Sequence, residues 1–470
     1  MKEPFTLYSS GIALARFAAE RADITHSSRD ILGLDFSEPR PMTAQNDTDY
    51  AAVKLQPYRL LTLRTEFEAA AASAPAEFSV DGLRYTRAER NGLLYYIQRG
   101  VKFPCDALFR DGRLIAWLCP CREQANLLVR DGFEEYTPLA LWKDYAARPL
   151  YGVSMLGTFH MPMRDGVELA ADVYLPEGAP LPVPALLVRT PYDKDDGAQT
   201  YFRYVRRGYA VVVQDVRGRN ESGGEWLPHY YEVEDGDDTL TWVGTQEWCD
   251  GSVGMLGGSY LGYTQWCAAA LGNPHLKAMI SVVTAGTAFA DGPLHGGCFS
   301  SGGFAWNFAM TKRRFAPERM DRADWDEILD IRPLEDIGQK ALGEDVPFIR
   351  KMLAHPCEDS FWLRGNWAKR STGKTVPVLI QSGWFDDNGM GTTEALDLTA
   401  GYPPGTRKVV LGPWQHSGNS RYDLHALSFP AGALRFDLDL LYQKWFDHFL
   451  RGEENGVEQS APVEYYTMGE

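Results

Sequence analysis

Met255-Leu256-Gly257-Gly258-Ser259-Tyr260-Leu261-Gly262 is the stretch whose reading decides the fold. The run from Val253 to Gly257 has the unbroken hydrophobicity of a strand buried on both faces, and Tyr263 to Leu271 is helix-forming. A strand that turns abruptly into a helix around one residue forces strained backbone angles there. Its neighbours must be small so that strand and helix can close on each other, and Gly257 and Gly262 supply that room. Such a turn lifts the Ser259 hydroxyl into the open, at a helix N-terminus whose backbone N–H groups can meet a developing oxyanion. The usual short pattern is Gly-x-Ser-x-Gly; here Leu261 stands where the second glycine belongs and Gly262 follows one place later. Taken alone, the motif also fits an ordinary Gly-Ser turn before a helix.

Working outward, strands alternate with helices from about Tyr151. Met155 to His160 and Glu168 to Leu175 flank Arg164-Asp165-Gly166, a hairpin signal. Ala185 to Arg189, Tyr209 to Asp215, Lys277 to Val283, Val376 to Gln381 and Lys408 to Gly412 are further apolar runs. A doubly wound, mostly parallel sheet led by an antiparallel hairpin is the economical architecture, with core segments at 151–285 and 375–455. Between them, 286–374 loses the strand signal. Its Gly-rich loops and helical periodicity, as in Arg322 to Leu329 and Pro347 to Leu353, predict a mainly helical cap over the carboxyl edge of the sheet, where ligands bind in open α/β folds.

A serine hydroxyl is unreactive at neutral pH without a base, and the base needs an acid to fix its tautomer. In a fold of this kind the acid and then the histidine come later in the chain, each just past a core strand. Gln381-Ser382-Gly383-Trp384-Phe385-Asp386 follows one such strand, and Leu411-Gly412-Pro413-Trp414-Gln415-His416 follows the next. Asp386 is the candidate acid and His416 the candidate base. Asp387 is the rival acid, but consecutive loop residues point different ways, so only one of the two reaches the imidazole. Asp215 and Asp250 precede Ser259 and do not fit the order. Two donors are needed for an oxyanion: the Tyr260 N–H, next to the serine, and a second from the loop after an early core strand, Arg189 to Lys194. Tyr192 in that loop reads equally as an ordinary loop aromatic.

Composition narrows the class. The 470 residues exceed a single compact core, and 44% hydrophobic with 23% charged residues is ordinary for a globular protein. A net charge of −16 repels phosphate backbones and anionic lipid, so neither nucleic acid nor a membrane is expected as partner. No run of ~18 apolar residues spans a bilayer, and Met1 to Arg16 lacks the pattern of a secretion signal. Seven scattered cysteines fit reduced thiols in a cytoplasmic protein. Cys119-Pro120-Cys121 has no second close pair to complete a metal site, and no metal or cofactor is expected. A homo-oligomer is left open.

Residues 1–150 read differently. Leu60 to Ala74 looks helical, and short alternating segments follow, split at Val80-Asp81-Gly82 and Arg110-Asp111-Gly112-Arg113. This is a small mixed or β-rich module in which no chemistry is visible.

The segments just quoted resemble the cocaine esterase and X-prolyl dipeptidyl-peptidase family of serine hydrolases, often labelled CocE/NonD. The likeness is carried by Met163 to Tyr174, Arg189 to Lys194, Gln214 to Gly218, Trp248 to Trp266, Gly383 to Asp386 and Gly412 to His416. It implies the α/β-hydrolase fold, with Ser259 as nucleophile, Asp386 as acid, His416 as base, and the Tyr192 hydroxyl working with the Tyr260 amide on the oxyanion. It implies hydrolysis of a carboxylic ester or amide through an acyl-enzyme: an esterase first, an X-prolyl dipeptidyl-peptidase as alternative, and a non-catalytic binding protein on the same fold as a remote third. Members usually continue into a C-terminal jelly-roll domain, so 456–470 resembles that domain's first strand, cut short. The N-terminal 150 residues lie outside the likeness. The related α-amino acid ester hydrolases carry an acidic pair after the triad acid; Asp387-Asn388-Gly389-Met390 offers one acid only.

Among weaker features, Trp266, Phe299, Phe304 and Trp306 are candidates for a substrate pocket, with Phe308 beside them. The cap aromatics fit equally as the cap's own core. The acids Glu232, Glu234, Asp235, Asp237 and Asp238 lack the spacing of an EF-hand calcium loop and are expected to open a helix whose N-terminal dipole favours them; Arg217-Gly218-Arg219 is expected to pair with nearby acids in the loop rather than to bind phosphate.

Overall fold

The computed structural model describes residues 2–21 and 23–469, in two compact units. The first comprises Met1–Gly152, Gly412–Lys444 and Tyr466–Glu470, the second Val153–Leu411 and Trp445–Tyr465.

The first unit is built on a ten-stranded sheet of β1 (Glu3–Ser9), β2 (Ile12–Glu20), β3 (Asp23–Ser28), β4 (Arg40–Pro41), β5 (Glu77–Val80), β6 (Leu83–Arg90), β7 (Leu93–Gln98), β8 (Asp106–Arg110), β9 (Arg113–Cys121) and β10 (Gln124–Arg130). The order is β4-β3-β2-β1-β10-β9-β8-β7-β6-β5, and the neighbours run antiparallel. Asp81-Gly82 and Asp111-Gly112 close two of the hairpins with both residues at positive φ, the conformation a two-residue turn requires. The helix Pro57–Ala71 starts at a proline and buries Leu60, Leu61, Arg64, Phe67 and Ala71, the spacing of one face, with Phe67 edge-on to Trp117 and Tyr85.

Segment 412–444 completes this unit. The buried Asp106 carboxylate accepts hydrogen bonds from the Tyr95 and Tyr422 hydroxyls and the Gln98 N–H. The Asp439 carboxylate accepts one from the Ala125 N–H at 3.0 Å. Within the segment, β21 (Asp423–Leu424) and β22 (Leu427–Ser428) form a small hairpin, separate from β17 (Leu294–His295) and β18 (Cys298–Phe299) of the second unit.

The second unit holds the mostly parallel sheet: β11 (Gly152–Pro162), β12 (Glu168–Glu177), β13 (Val183–Thr190), β14 (Ala210–Asp215), β15 (Cys249–Gly258), β16 (Leu276–Val282), β19 (Val378–Phe385), β20 (Arg407–Gln415) and β23 (Val463–Tyr465). They stand in the order β11-β12-β14-β13-β15-β16-β19-β20-β23. β12 runs antiparallel to β14, while the pairs β14/β13, β13/β15, β15/β16, β16/β19 and β20/β23 are parallel. β13 and β14 are buried at every residue, as their continuous apolar sequence requires. Asp165-Gly166 turns between β11 and β12, with the Met163 N–H donating to the Val167 carbonyl at 2.8 Å.

Val463–Tyr465, in the stretch expected to open a further domain, pairs with β20 as a strand of this same sheet. Between β16 and β19 lies a run of short helices from Ala288–Asp291 to Trp367–Arg370, packed around Phe304, Phe308, Ile349 and Trp362. The doubly wound α/β class read from the sequence is the observed one.

Candidate active site

Ser259 sits between the last residue of β15 and the helix Tyr260–Ala270, at φ 59° and ψ −122°. A serine in that region of backbone space is strained, and the surroundings hold it there. Its N–H donates to the Val282 carbonyl on β16 at 2.9 Å, and its carbonyl accepts from the N–H groups of Gly262 and Tyr263 at 2.9 and 3.1 Å. The glycines read as spacers are needed as spacers. A Cβ on Gly257, whose φ is +146°, would lie 2.5 Å from the Leu261 Cβ; one on Gly262 would lie 2.8 Å from the Thr284 Cβ. Gly258 is less constrained, its nearest atom being the Val282 carbonyl at 3.3 Å.

Tyr260 is the first residue of that helix, so its N–H is one of those a helix leaves without an intrahelical acceptor. Its side chain is fixed below. The buried hydroxyl donates to Glu232 Oε1 at 2.9 Å and accepts from the His229 N–H at 3.1 Å. Glu232 in turn lies 2.7 Å from the buried Arg189 guanidinium. Burial pushes the Glu232 carboxyl up, against the pull of Arg189, and burial alone pushes the His229 imidazole down to about 3. His229 is therefore a neutral, aromatic-packed ring, its centroid 4.8 Å from that of Tyr260 and 4.6 Å from that of Tyr263.

The loop after β13 holds Tyr192, half-buried, and is tied down at every step. The Tyr192 N–H donates to Thr190 Oγ1, the Lys194 N–H to Asp215 Oδ1, and the buried Lys194 ammonium contacts Asp172, Asp195 and Glu221. Arg219 completes the clamp. Its buried guanidinium donates to the Pro191 carbonyl at 2.9 Å and to the carbonyls of Met310 and Lys312, joining this loop to the segment after the helix Ser301–Ala309. Arg217 pairs with acids, but with Asp165 in the β11–β12 turn and Asp235 on the helix Glu232–Gly244 rather than in its own loop, and Arg219 serves carbonyls instead of acids.

Trp306 from that helix donates its Nε1–H to the Tyr192 hydroxyl at 3.2 Å and stacks on Tyr260, the centroids 5.6 Å apart. It is half-buried and touches both residues read as oxyanion donors. The other pocket candidates lie elsewhere. Trp266 is 2% exposed, stacked on Trp367 with its Nε1–H bonded to Ser281 Oγ. Phe304 is 2% exposed and Phe308 fully buried in the cap's own core, with Phe299 stacked on Phe304. Trp266 and Phe304 therefore offer no accessible wall, because their faces are already covered.

Asp386 immediately follows β19. Its carboxylate accepts from the Ser382 hydroxyl at 2.6 Å and from the Asn388 N–H at 3.1 Å, while Asp387 is exposed. His416 immediately follows β20, half-buried in the turn closed by the Gly418 N–H on the Gln415 carbonyl at 2.8 Å. Ser259, Asp386 and His416 thus each stand one residue past the carboxyl end of a strand of one sheet. Neither Arg219, His229 nor Glu232 was recognisable as part of this surround from sequence. His229 lies in a loop without periodicity, and Glu232 reads as one of five helix-opening acids. The acidic run does open the helix Glu232–Gly244.

A serine held at a strained strand-to-helix turn, on a mostly parallel sheet with a helical insertion, defines an α/β-hydrolase. The chain belongs to the X-Pro dipeptidyl-peptidase (S15) family, whose family model matches residues 165–418. It is 35% identical over 344 residues to the cocaine esterase of Rhodococcus sp. (strain MB1 Bresler), an alignment covering 67% of this chain and 58% of that protein. Among solved structures it is similar to an α-amino acid ester hydrolase (TM-score 0.56, 26% identity, 68% of this chain and 57% of that one). It is also similar to an aminopeptidase from a marine sediment archaeon, Thaumarchaeota archaeon (TM-score 0.56, 25% identity, 67% of this chain and 57% of that one). The chain therefore spans less than two thirds of each of these relatives.

Proposed function

We propose that the chain hydrolyses a carboxylic ester through an acyl-enzyme, with Ser259 as nucleophile, His416 as general base and Asp386 as the acid that orients it. The observation that carries the reading is the strained Ser259 turn, kept open by two glycines that admit no side chain. The chain order of the three residues, and the carboxylate of Asp386 fixed by Ser382 and Asn388, support it further.

In the proposed cycle His416 takes the proton of Ser259 Oγ as that oxygen bonds to the substrate carbonyl carbon, and the carbonyl π pair moves onto oxygen. The Tyr260 N–H and the Tyr192 hydroxyl hydrogen meet that oxyanion. The Tyr192 oxygen accepts from the Trp306 Nε1–H, so in this reading the hydroxyl serves the oxyanion as a donor. Collapse restores the carbonyl and expels the alkoxide, which leaves with the proton held by His416. Water then repeats the sequence on the acyl-serine and releases a carboxylic acid.

The half-buried Trp306 face beside Tyr192 favours an apolar or aromatic acyl group, as does the identity to an esterase. The family match favours a second reading, cleavage after an X-Pro dipeptide. Seven free cysteines among the described residues, three of them buried, fit the cytoplasmic setting we propose.

The test is covalent labelling with a fluorophosphonate, mapped by mass, followed by parallel assays on p-nitrophenyl acyl esters and Gly-Pro-p-nitroanilide. Label on Ser259, loss of turnover in Ser259→Ala and preference for the esters are expected. Efficient anilide turnover with poor ester turnover selects the peptidase reading. An unlabelled Ser259 with activity intact in Ser259→Ala removes catalysis from this site.

A further inference from the structure

Residues 44–105 line a cleft of about 910 Å³, within the ~300–1,000 Å³ typical of small-ligand sites. Its buried surfaces are apolar: Leu55 before the helix Pro57–Ala71, Leu60 and Phe67 on it, and Tyr85 on β6. The polar groups of the cleft divide into two sets. Arg59 is already neutralised by Asp81, and the Asp47 carboxylate is taken up by the N–H groups of Tyr58 and Arg59 at 2.7 and 3.1 Å.

Lys54 and Lys102 are the other set. Their ammonium groups lie 5.8 and 5.1 Å from the centroid of the Phe103 ring, and neither makes an ion pair among the described residues. Two further cations add to the same field. The Phe103 and Arg122 N–H groups donate to the carbonyls of Ser420 and Asn419, which ties the backbone next to Arg421 to this region. Partial desolvation of this otherwise exposed group, then Arg122, Arg421 and Lys54, push the Lys102 ammonium below the ordinary lysine range. In a chain of net charge −16 this is a local cluster of positive charge, in which neither lysine has an ion-pair partner among the described residues. Mutually repelling cations at the edge of an apolar cleft cost folding stability, and an anion with an apolar body relieves both the charge and the exposed surface.

We propose that this cleft binds an amphiphilic carboxylate, its apolar tail against Leu55, Leu60 and Phe67 and its headgroup between Lys54 and Lys102. The site lies in the first unit and does not depend on the reading of Ser259.

Isothermal titration of the full chain with decanoate, decan-1-ol and decyltrimethylammonium tests it. Decanoate binds, decan-1-ol binds more weakly and the cation does not bind. Lys54→Gln/Lys102→Gln weakens decanoate about tenfold, the equivalent of ~1.4 kcal/mol shared between two exposed charge pairs, and leaves decan-1-ol unchanged. Ser259→Ala binds decanoate as the wild type does. A photoreactive diazirine analogue of decanoate cross-links to peptides within 44–105. Both lysines are exposed, so the double variant is expected to fold, and near-ultraviolet circular dichroism checks it. The proposal is overturned if decanoate fails to bind at millimolar concentration or binds no more tightly than the alcohol. It is equally overturned if a folded double variant keeps wild-type affinity, or if the cross-link maps outside that segment.

Discussion

His229 couples acidity to the stability of the region around the nucleophile turn. It is 5% exposed, its N–H donates to the Tyr260 hydroxyl, and its carbonyl accepts from the Tyr263 hydroxyl at 2.8 Å. Its imidazole is lowered from 6.5 to about 3 by burial alone. With the folded value below the unfolded one, the neutral ring contributes fully above pH 6.5, and that contribution is lost as pH falls from 6.5 toward 3. At pH 5.0 the unfolded imidazole is already protonated over 1.5 pH units that the folded one is not, which at ~1.4 kcal/mol per unit costs about 2 kcal/mol. Asp106 and Asp215, raised to about 6 chiefly by burial, act in the opposite sense and favour the fold as pH falls. Comparison of wild type with His229→Gln cancels them. Urea unfolding followed by tryptophan fluorescence at pH 7.5 and pH 5.0 gives the two stability differences. The variant's deficit should shrink by about 2 kcal/mol on acidification. An equal deficit at both pH values would mean that His229 titrates as an exposed histidine does, and the argument from burial would be refuted.

Four further outcomes follow from the site. Trp306→Phe keeps an aromatic ring on Tyr260 but removes the donor to Tyr192, so kcat on p-nitrophenyl acetate should fall about fivefold, the equivalent of ~1 kcal/mol, with KM little changed. Tyr192→Phe, which removes the proposed oxyanion donor itself, should cost ~10²–10³ in kcat. Gly257→Ala, strained in φ and clashing with Leu261, should lose about 2–4 kcal/mol in thermal unfolding, whereas Gly258→Ala should lose less than about 1 kcal/mol. Asp386→Asn should lower kcat by ~10⁴ through loss of the imidazole's orientation, while Asp387→Asn, at an exposed carboxylate, should leave turnover near wild type.

What was legible in the sequence was local. The Asp-Gly turns demanded positive φ, the runs around Val188 and Val212 were too apolar for anything but central strands, and the Gly-Gly-Ser segment announced its own strain. Helix Pro347–Leu353 matched residue for residue. What was not legible depends on partners distant in the chain. The first 150 residues read as a small mixed or β-rich module, but the pairing of β1 with β10, and hence the extent of a single ten-stranded sheet, leaves no mark within a short window. An aromatic looks the same in sequence whether it stays half-buried with its N–H on a neighbouring hydroxyl, as Trp306 does on Tyr192, or is sealed in a core, as Trp266 is against Trp367. Arg219 shows the same limit: its partners are backbone carbonyls, which carry no residue identity to read.

The partners that finish the first sheet have a consequence for how the chain is made. Asp106 waits for Tyr422, and the Ala125 N–H for Asp439, separations of 316 and 314 residues. At ~5–20 residues per second a ribosome needs roughly 15–60 s to span such a gap. During that interval a sheet pairing β1 with β10 would hold the Asp106 carboxylate one hydrogen bond short, with only Tyr95 and Gln98, and the Ala125 amide without its Asp439 acceptor. The module is thus completed only after residues about 300 positions downstream have been made, and a fragment ending near residue 150 is expected to aggregate rather than behave as a free-standing domain.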